Sequence, residues 1–253
     1  MSTTSNDKRA ARESQAAKRT VAAAKQKKQK LIMNVVVVTL VLVIAGIGVW
    51  AITHSSTSSS ADTGTAEPAG AASATGGFVV GTKGPTIDVW EDLQCPFCHE
   101  MEASSAARLA GYAAAGTAKI QYHMLSFLDS KLENDASNRG TNMMACVAQL
   151  GGVDKAIAFK GTVYANFPKT EGDGWTDDQF KGFAAKVGVS GDPFNSCYAA
   201  KTYNGWVNNQ LVEMATQGIS GTPAVFFNGT ELQFTPSNDA SLATALKSAG
   251  FTG

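Results

Sequence analysis

The chain has 253 residues, with 21 Lys and Arg balancing 21 Asp and Glu, so its formal net charge is zero. That neutrality is the sum of two opposed parts: residues 1–30 hold nine Lys or Arg against Asp7 and Glu13, a net +7, which leaves −7 for the rest. A basic tail alone would suit nucleic acid, but the uncharged run behind it excludes the need for such a partner.

From Leu31 to Ile52 the sequence reads LIMNVVVVTLVLVIAGIGVWAI, with no charged residue. A helix of this length crosses a hydrocarbon core of roughly 30 Å. Asn34 lies at the basic end and Trp50 at the other, where an indole favours the interface. A core helix would carry a polar face at helical period, and this run has none. Lys and Arg are retained on the cytoplasmic side, which predicts a single-pass anchor at the cell membrane, its N-terminus inside and everything after it exported. The apolar run is longer than that of a cleaved signal peptide, and the first small-x-small site, Ala69-Gly70-Ala71, comes well after it, which favours an uncleaved signal anchor. Residues 53–77 contain no large apolar side chain and read as a flexible Ser/Thr/Ala/Gly tether. Such a coil would span about 25–30 Å.

Residues 78–253 are long enough for one exported domain with a full core. FVVG (78–81) and TIDVWED (86–92) read as strands separated by the turn TKGP. From Pro96 to about Ala114 an alanine-rich run with Met101, Leu109 and Tyr112 predicts a helix ended near Gly116, and KIQYHMLSF (119–127) predicts another strand. Strand, helix, strand is a βαβ unit with parallel pairing. A helical insert follows from about 130 to 218, with segments expected at 137–150, 153–166, 176–187 and 193–217. Two apolar runs in TPAVFFNGTELQF flank Asn228-Gly229, a hairpin signal, and NDASLATALKSAG closes the chain as a helix. The fold class is therefore α/β: βαβ, a helical insertion, then ββα, preceded by one transmembrane helix.

Cys95 and Cys98, in EDLQCPFCHEM, have the C-x-x-C spacing that serves metal binding, a structural staple or disulfide exchange. Zinc would want a second ligand pair, but Cys146 and Cys197 lie 51 residues apart and His99 and His123 are isolated, so no metal is expected. A staple across two residues closes too small a ring to constrain much of the unfolded chain. Exchange fits the position better. Cys95 falls where a strand ends and a helix begins, with Pro96 at the preferred first helical position. The helix N-terminus and the N–H groups of Phe97 and Cys98 favour a thiolate there. Far away, Pro223 follows Thr222 directly before a strand, a position where its missing N–H breaks no ladder bond.

EDLQCPFC at the turn, the helical insert and GTPAVFFNG before the hairpin together resemble the membrane-anchored DsbA-like thiol:disulfide oxidoreductases of the thioredoxin superfamily. The likeness covers roughly residues 78–253. It implies that Cys95 is an exposed nucleophile and Cys98 the resolving thiol. It also implies that Pro223 is cis beside them, and that Thr222 offers its backbone to an extended substrate. Phe97 brings no charge to the thiolate, which implies a milder oxidant than relatives with His there; His99 is a second possible source of charge. Thioredoxin-like proteins often carry a buried acid six residues before the first cysteine; here that residue is Val89. Strand alternation sends Asp88 and Asp92 to the opposite face, and Glu91 reads as a solvated charge that is also a candidate substitute.

Cys146 and Cys197 fit a structural disulfide tying the first and last helices of the insert, with a second redox pair as the alternative. The resemblance implies oxidation of newly exported cysteine-containing proteins and reoxidation by a quinone-linked membrane protein. Electrons then move through sulfur alone, with no bound cofactor. A reductase or isomerase and a non-catalytic peptide-binding module are the alternatives.

Overall fold

A computed structural model describes residues 66–170 and 172–253. The basic tail 1–30, the expected anchor 31–52 and the tether up to residue 65 lie outside the described residues. No helix among the described residues is long and apolar enough to cross a membrane.

Strands β1 (Phe78–Val80) and β2 (Thr86–Asp92) are followed by helix α1 (Pro96–Ala115) and strand β3 (Lys119–Leu125). The insert comprises α2 (Leu128–Leu132), α3 (Ala136–Gly151), α4 (Val153–Ala165), α5 (Asp177–Lys186), α6 (Asp192–Ala199) and α7 (Asn204–Thr216). Strands β4 (Ala224–Phe227) and β5 (Thr230–Glu231) and helix α8 (Asp239–Ser248) complete the domain. The sheet order is β1-β3-β2-β4-β5. β2 and β3 pair in parallel, Val89 opposite Tyr122, because a helical crossover joins them; the other pairings are antiparallel.

Local chemistry explains the element ends. α1 stops where Gly116 turns left-handed at φ 70° and its N–H closes on Ala113 and Tyr112 carbonyls. The β4–β5 hairpin turns through Asn228 (φ 51°) and Gly229 (φ 74°), the residue types that tolerate positive φ. α5 opens with a reciprocal capping box between Thr176 and Gln179.

Ile87, Val89, Ile120 and Tyr122 on the sheet, Met101 and Leu109 on α1, and Leu242 and Leu246 on α8 share one continuous core with the insert. α3 is the hub of the insert, touching β3 and α2, α4, α5, α6 and α7, while α4 packs on α1 and β1.

Three expectations need correction. The helix expected over 193–217 is two helices, α6 and α7, broken where Lys201 takes φ 50° and Asn142 Oδ1 of α3 accepts from the Tyr203 N–H at 2.9 Å. No glycine or proline marks that break. β3 ends at Leu125, two residues short of the run read as strand to 127, and an unexpected short helix, α2, starts at Leu128.

The tether also ends earlier than position 77. Ala71 bridges to Phe78, and Asn209 Nδ2 donates to Ala74 O at 3.1 Å. The buried Trp206 Nε1 and Gln210 Nε2 donate to Gly76 O at 3.2 and 3.3 Å. Buried donors that need an acceptor hold this strap, with buried Pro68 and Ala71 against the core adding a small apolar contact. A Cβ on Gly77 would lie 2.2 Å from Tyr122 O, so only glycine lets the strap pass this close.

Candidate active site

β2 delivers the chain to the site. Cys95 is the N-cap of α1 in extended conformation (φ −79°, ψ 119°), and Pro96 follows with its ring preset for the helix. The turn before it is clamped to the start of the insert. Cys95 N–H donates to Asp92 O at 3.0 Å and Gln94 N–H to Asp92 Oδ1 at 2.9 Å. The Asp92 carboxylate also accepts from the Ser137 hydroxyl and, at 3.0 Å, from Leu128 N–H. The Gln94 amide reaches Asp129 and Asn134 at 2.8 and 2.9 Å. Burial pushes Asp92 up to about 7 against these donors.

Cys95 and Cys98 are free thiols, 4% and 0% exposed. The resemblance implied an exposed nucleophile; instead Cys95 lies beneath Thr222, and its Sγ donates to Thr222 O at 3.4 Å. Pro96 and Phe97 between them are both exposed, Phe97 at 55%. The Thr222–Pro223 peptide is cis and immediately precedes β4, which pairs with β2.

The two thiols are driven apart. The Cys98 thiol donates to Cys95 sulfur and, as the largest influence, draws the Cys95 thiol down to about 6. Burial opposes this, while the N–H groups of Cys98 and Phe97 assist. The helix-start N–H groups thus contribute as the sequence suggests, but the second cysteine outweighs them. Burial pushes Cys98 well up, and the Cys95 and Glu91 charges reinforce the shift.

Glu91 is not a solvated charge. It is fully buried on the face shared with Val89, because the C-terminal end of β2 is covered on both sides. Its Oε2 accepts from Lys160 Nζ at 2.7 Å, and Lys160 donates equally to Glu102 Oε2 at 2.7 Å. The ammonium stands 4.3 Å from the centre of the Tyr122 ring. Burial pushes Glu91 up to about 7; Lys160 opposes that, Glu102 adds to it, and Cys95 acts on it too. Among the described residues Glu91 Oε1 has no hydrogen-bond partner. Asp92, on the opposite face, is equally buried.

Lys160 and Glu102 escaped the sequence reading, although both had a signal. Lys160 stands on the stripe Ala156, Phe159, Val163, Tyr164, a charge on the buried side of an otherwise apolar face. Glu102 sits one place after Met101 on the buried stripe of α1. The histidines serve elsewhere. His123 stacks on Trp90, with ring centroids 3.8 Å apart, between Asp88 and Gln210; His99 stacks on Phe167 at 4.8 Å. Cys146 and Cys197 are bonded, with Cα atoms 6.0 Å apart, joining α3 to α6 rather than to the last helix of the insert.

A βαβ–insert–ββα domain with a C-x-x-C at the first helix and a cis-proline before β4 is the thioredoxin fold with a helical insertion. The thioredoxin family profile matches residues 76–248, and the chain belongs to that family. Solved structures of thiol–disulfide oxidoreductases share this fold. The reduced disulfide bond oxidoreductase DsbG of Mycobacterium tuberculosis is 24% identical, with 65% of this chain and 78% of that one covered and a TM-score of 0.55. The thiol-disulfide oxidoreductase MdbA of Actinomyces oris is 18% identical over 72% of this chain and 91% of its own, TM-score 0.60. Oxidised BdbD of Bacillus subtilis is 16% identical over 72% and 97%, TM-score 0.59. At such identities the likeness is one of fold. No curated protein sequence matches the chain.

Proposed function

We propose that this chain is an exported, membrane-anchored thiol–disulfide oxidoreductase that introduces disulfides into newly exported cysteine-containing proteins. The observation that carries the reading is the geometry of the free pair: Cys95 caps α1 against the cis Thr222–Pro223 peptide and Cys98 is fully buried behind it, a setting that draws Cys95 down to about 6 and holds Cys98 well above the ordinary thiol range. An inert staple has no use for such a difference. The apolar run 31–52 and its basic flank support the anchor, and the thiol–disulfide chemistry of the proteins that share its fold supports the activity.

In the oxidised protein a substrate thiolate attacks Cys95 Sγ. The Cys95–Cys98 bond breaks, and Cys98 leaves with the electron pair and takes a proton. A second substrate thiolate then attacks the substrate sulfur of the mixed disulfide, and Cys95 leaves as its thiolate. Two electrons pass from substrate to the pair; a quinone-linked membrane protein is the oxidant that takes them on and re-forms the Cys95–Cys98 bond. Glu91, with Oε1 unpartnered beside the buried pair, is the group that supplies the Cys98 proton and accepts it on reoxidation. Thr222 offers main-chain atoms to the substrate segment.

The test is trapping. A Cys98→Ala chain accumulates mixed disulfides on Cys95 with exported proteins, identified by mass spectrometry; absence of any adduct removes exchange chemistry. A second reading, reduction or isomerisation, is favoured by Glu91, which restores the buried acid that Val89 lacks. Reduction potential separates the two. With Cys95 between the values of about 7 for thioredoxin and about 3.5 for DsbA, the oxidase reading expects a potential between about −270 and −120 mV. A potential at or below the thioredoxin end makes the protein a reductase.

A further inference from the structure

We propose that a polar cavity in the helical insert is a binding site for a single neutral sugar unit. None of its lining residues belongs to the thiol site, and the proposal does not depend on the exchange reading. The cavity encloses about 330 Å³ between the start of α3, the start of α5 and the α6–α7 break. At about 30 Å³ per water it holds some eleven waters, the room that one pyranose ring with its hydroxyls needs.

One wall is a polar stripe on the hub helix. Asp135, Asn138, Arg139 and Asn142 recur at helical spacing, and all four line the cavity. Asn142 is the most deeply buried of them, at 1% exposure. Its Oδ1 accepts from Tyr203 N–H at 2.9 Å, while among the described residues its Nδ2 has no hydrogen-bond partner. A buried amide with both N–H donors unspent is costly unless something in the cavity receives them.

The other walls add acceptors and donors. Asp135 and Asp177 accept from Arg139 at 2.7 and 2.5 Å, each through Oδ1, which leaves both Oδ2 atoms to accept from a ligand. Asn204, at the start of α7, adds a third carboxamide to those of Asn138 and Asn142. The walls are set before binding. The Arg139–Asp177 bond fixes α3 against α5, and the Cys146–Cys197 bond fixes α3 against α6. Little ordering is left to oppose association.

Charge selects the ligand. Two carboxylates face one guanidinium and the Lys201 ammonium, so an ion of either sign meets its own charge here. Arg139 is spent, because its Nη2 donates to Trp175 O at 2.9 Å besides the two carboxylates. Lys201 is exposed and solvated, so among the described residues the cavity holds no buried cation free for an anion. Neutral hydroxyls fit instead. A carboxamide donates and accepts in one plane, and each hydroxyl does both. Three carboxamides and two unspent carboxylate oxygens match the neighbouring hydroxyls of a sugar ring, with the carboxylate bonds charge-assisted.

The test uses the full-length chain in phosphatidylcholine nanodiscs, which carry no glycoside. Saturation-transfer NMR titrates glucose, mannose, galactose and N-acetylglucosamine, with sulfate and glycine as anionic and zwitterionic probes. At least one sugar saturates with a Kd on the order of 1 mM, and neither charged probe displaces it. Asn142→Asp keeps an acceptor for Tyr203 and removes the unspent donors; Ala199→Trp fills the cavity from its exposed rim. Each weakens the sugar about tenfold or more, with a cooperative urea transition retained. Where Asn142→Asp does not fold, Ala199→Trp decides. Lys201→Met leaves the sugar within about twofold. Absence of saturation up to about 100 mM, displacement by sulfate or glycine, or binding that survives the folded variants overturns the sugar site and leaves exchange untouched.

Discussion

Cys95 and Cys98 stand three apart at a strand-to-helix turn and are free, whereas Cys146 and Cys197, 51 apart in the insert, are bonded across α3 and α6. Both first and second pairs are built largely from buried sulfur, so burial alone does not separate them. Ring size and neighbours do. Closing the short ring removes little freedom from the unfolded chain, while closing the long one is worth about 4 kcal/mol in the chain-entropy treatment. Around the short pair, the partner cysteine and Glu91 separate its two members. A Cys98 proton lowers Cys95, and the Cys95 and Glu91 charges raise Cys98. The insert is more than a stabilised appendage, because it sends Lys160 and Ser137 back into the site.

The comparison breaks most sharply at the sulfurs. Cys95→Ser abolishes disulfide exchange with a model dithiol, while the double change Cys146→Ala/Cys197→Ala leaves the rate per folded molecule unchanged. Loss of exchange in the double variant makes the second pair a redox relay. The same double variant is less stable by about 4 kcal/mol in urea titration.

Lys160→Met is nearly as costly to stability, about 3–5 kcal/mol, because it strands Glu91 without its cation. A smaller loss identifies the pair as already neutral.

The pH dependence sharpens the contrast further. Glu91 is raised from 4.5 to about 7, so its contribution to stability is complete below pH 4.5 and lost as pH rises through about 7. Glu91→Gln removes that part of the slope from a series of urea midpoints, and it slows Cys98-dependent reoxidation. Cys95 has the opposite sign. Its folded value lies below its ordinary one, so the reduced protein holds this stability above pH 9 and loses it as pH falls through about 6. Ultraviolet thiolate absorbance titrates with a midpoint about 6, and Cys98→Ala moves it upward. An unmoved midpoint shows that the helix start, not Cys98, sets the thiolate.

The smallest effect belongs to the start of α5. Thr176→Ala deletes the α5 capping box for about 1 kcal/mol, with no change in exchange rate.

Much of this was legible in the residues. Alternation in TIDVWED and KIQYHML, Pro96 after Cys95, and Asn228-Gly229 are short-range signals, and each marks an element where it stands. The tether was misjudged at 68–77 because its hold comes from Trp206 and Gln210, over a hundred residues away. The break at Lys201 was invisible because an α3 side chain, not a local breaker, supports it.

What the sequence by itself determined is the order of strands and helices, the place of the C-x-x-C and the exceptional proline. These follow from dihedral preference and periodicity within a few residues. Only the tertiary structure decided which charges are buried. Glu91 and Asp92 occupy opposite faces of one strand, and a strand end covered on both sides buries both. Only packing could bring α4 across α1 to set Lys160 between two carboxylates, or lay Thr222 over Cys95. The pattern names the thiols; the burial around them makes the two unequal.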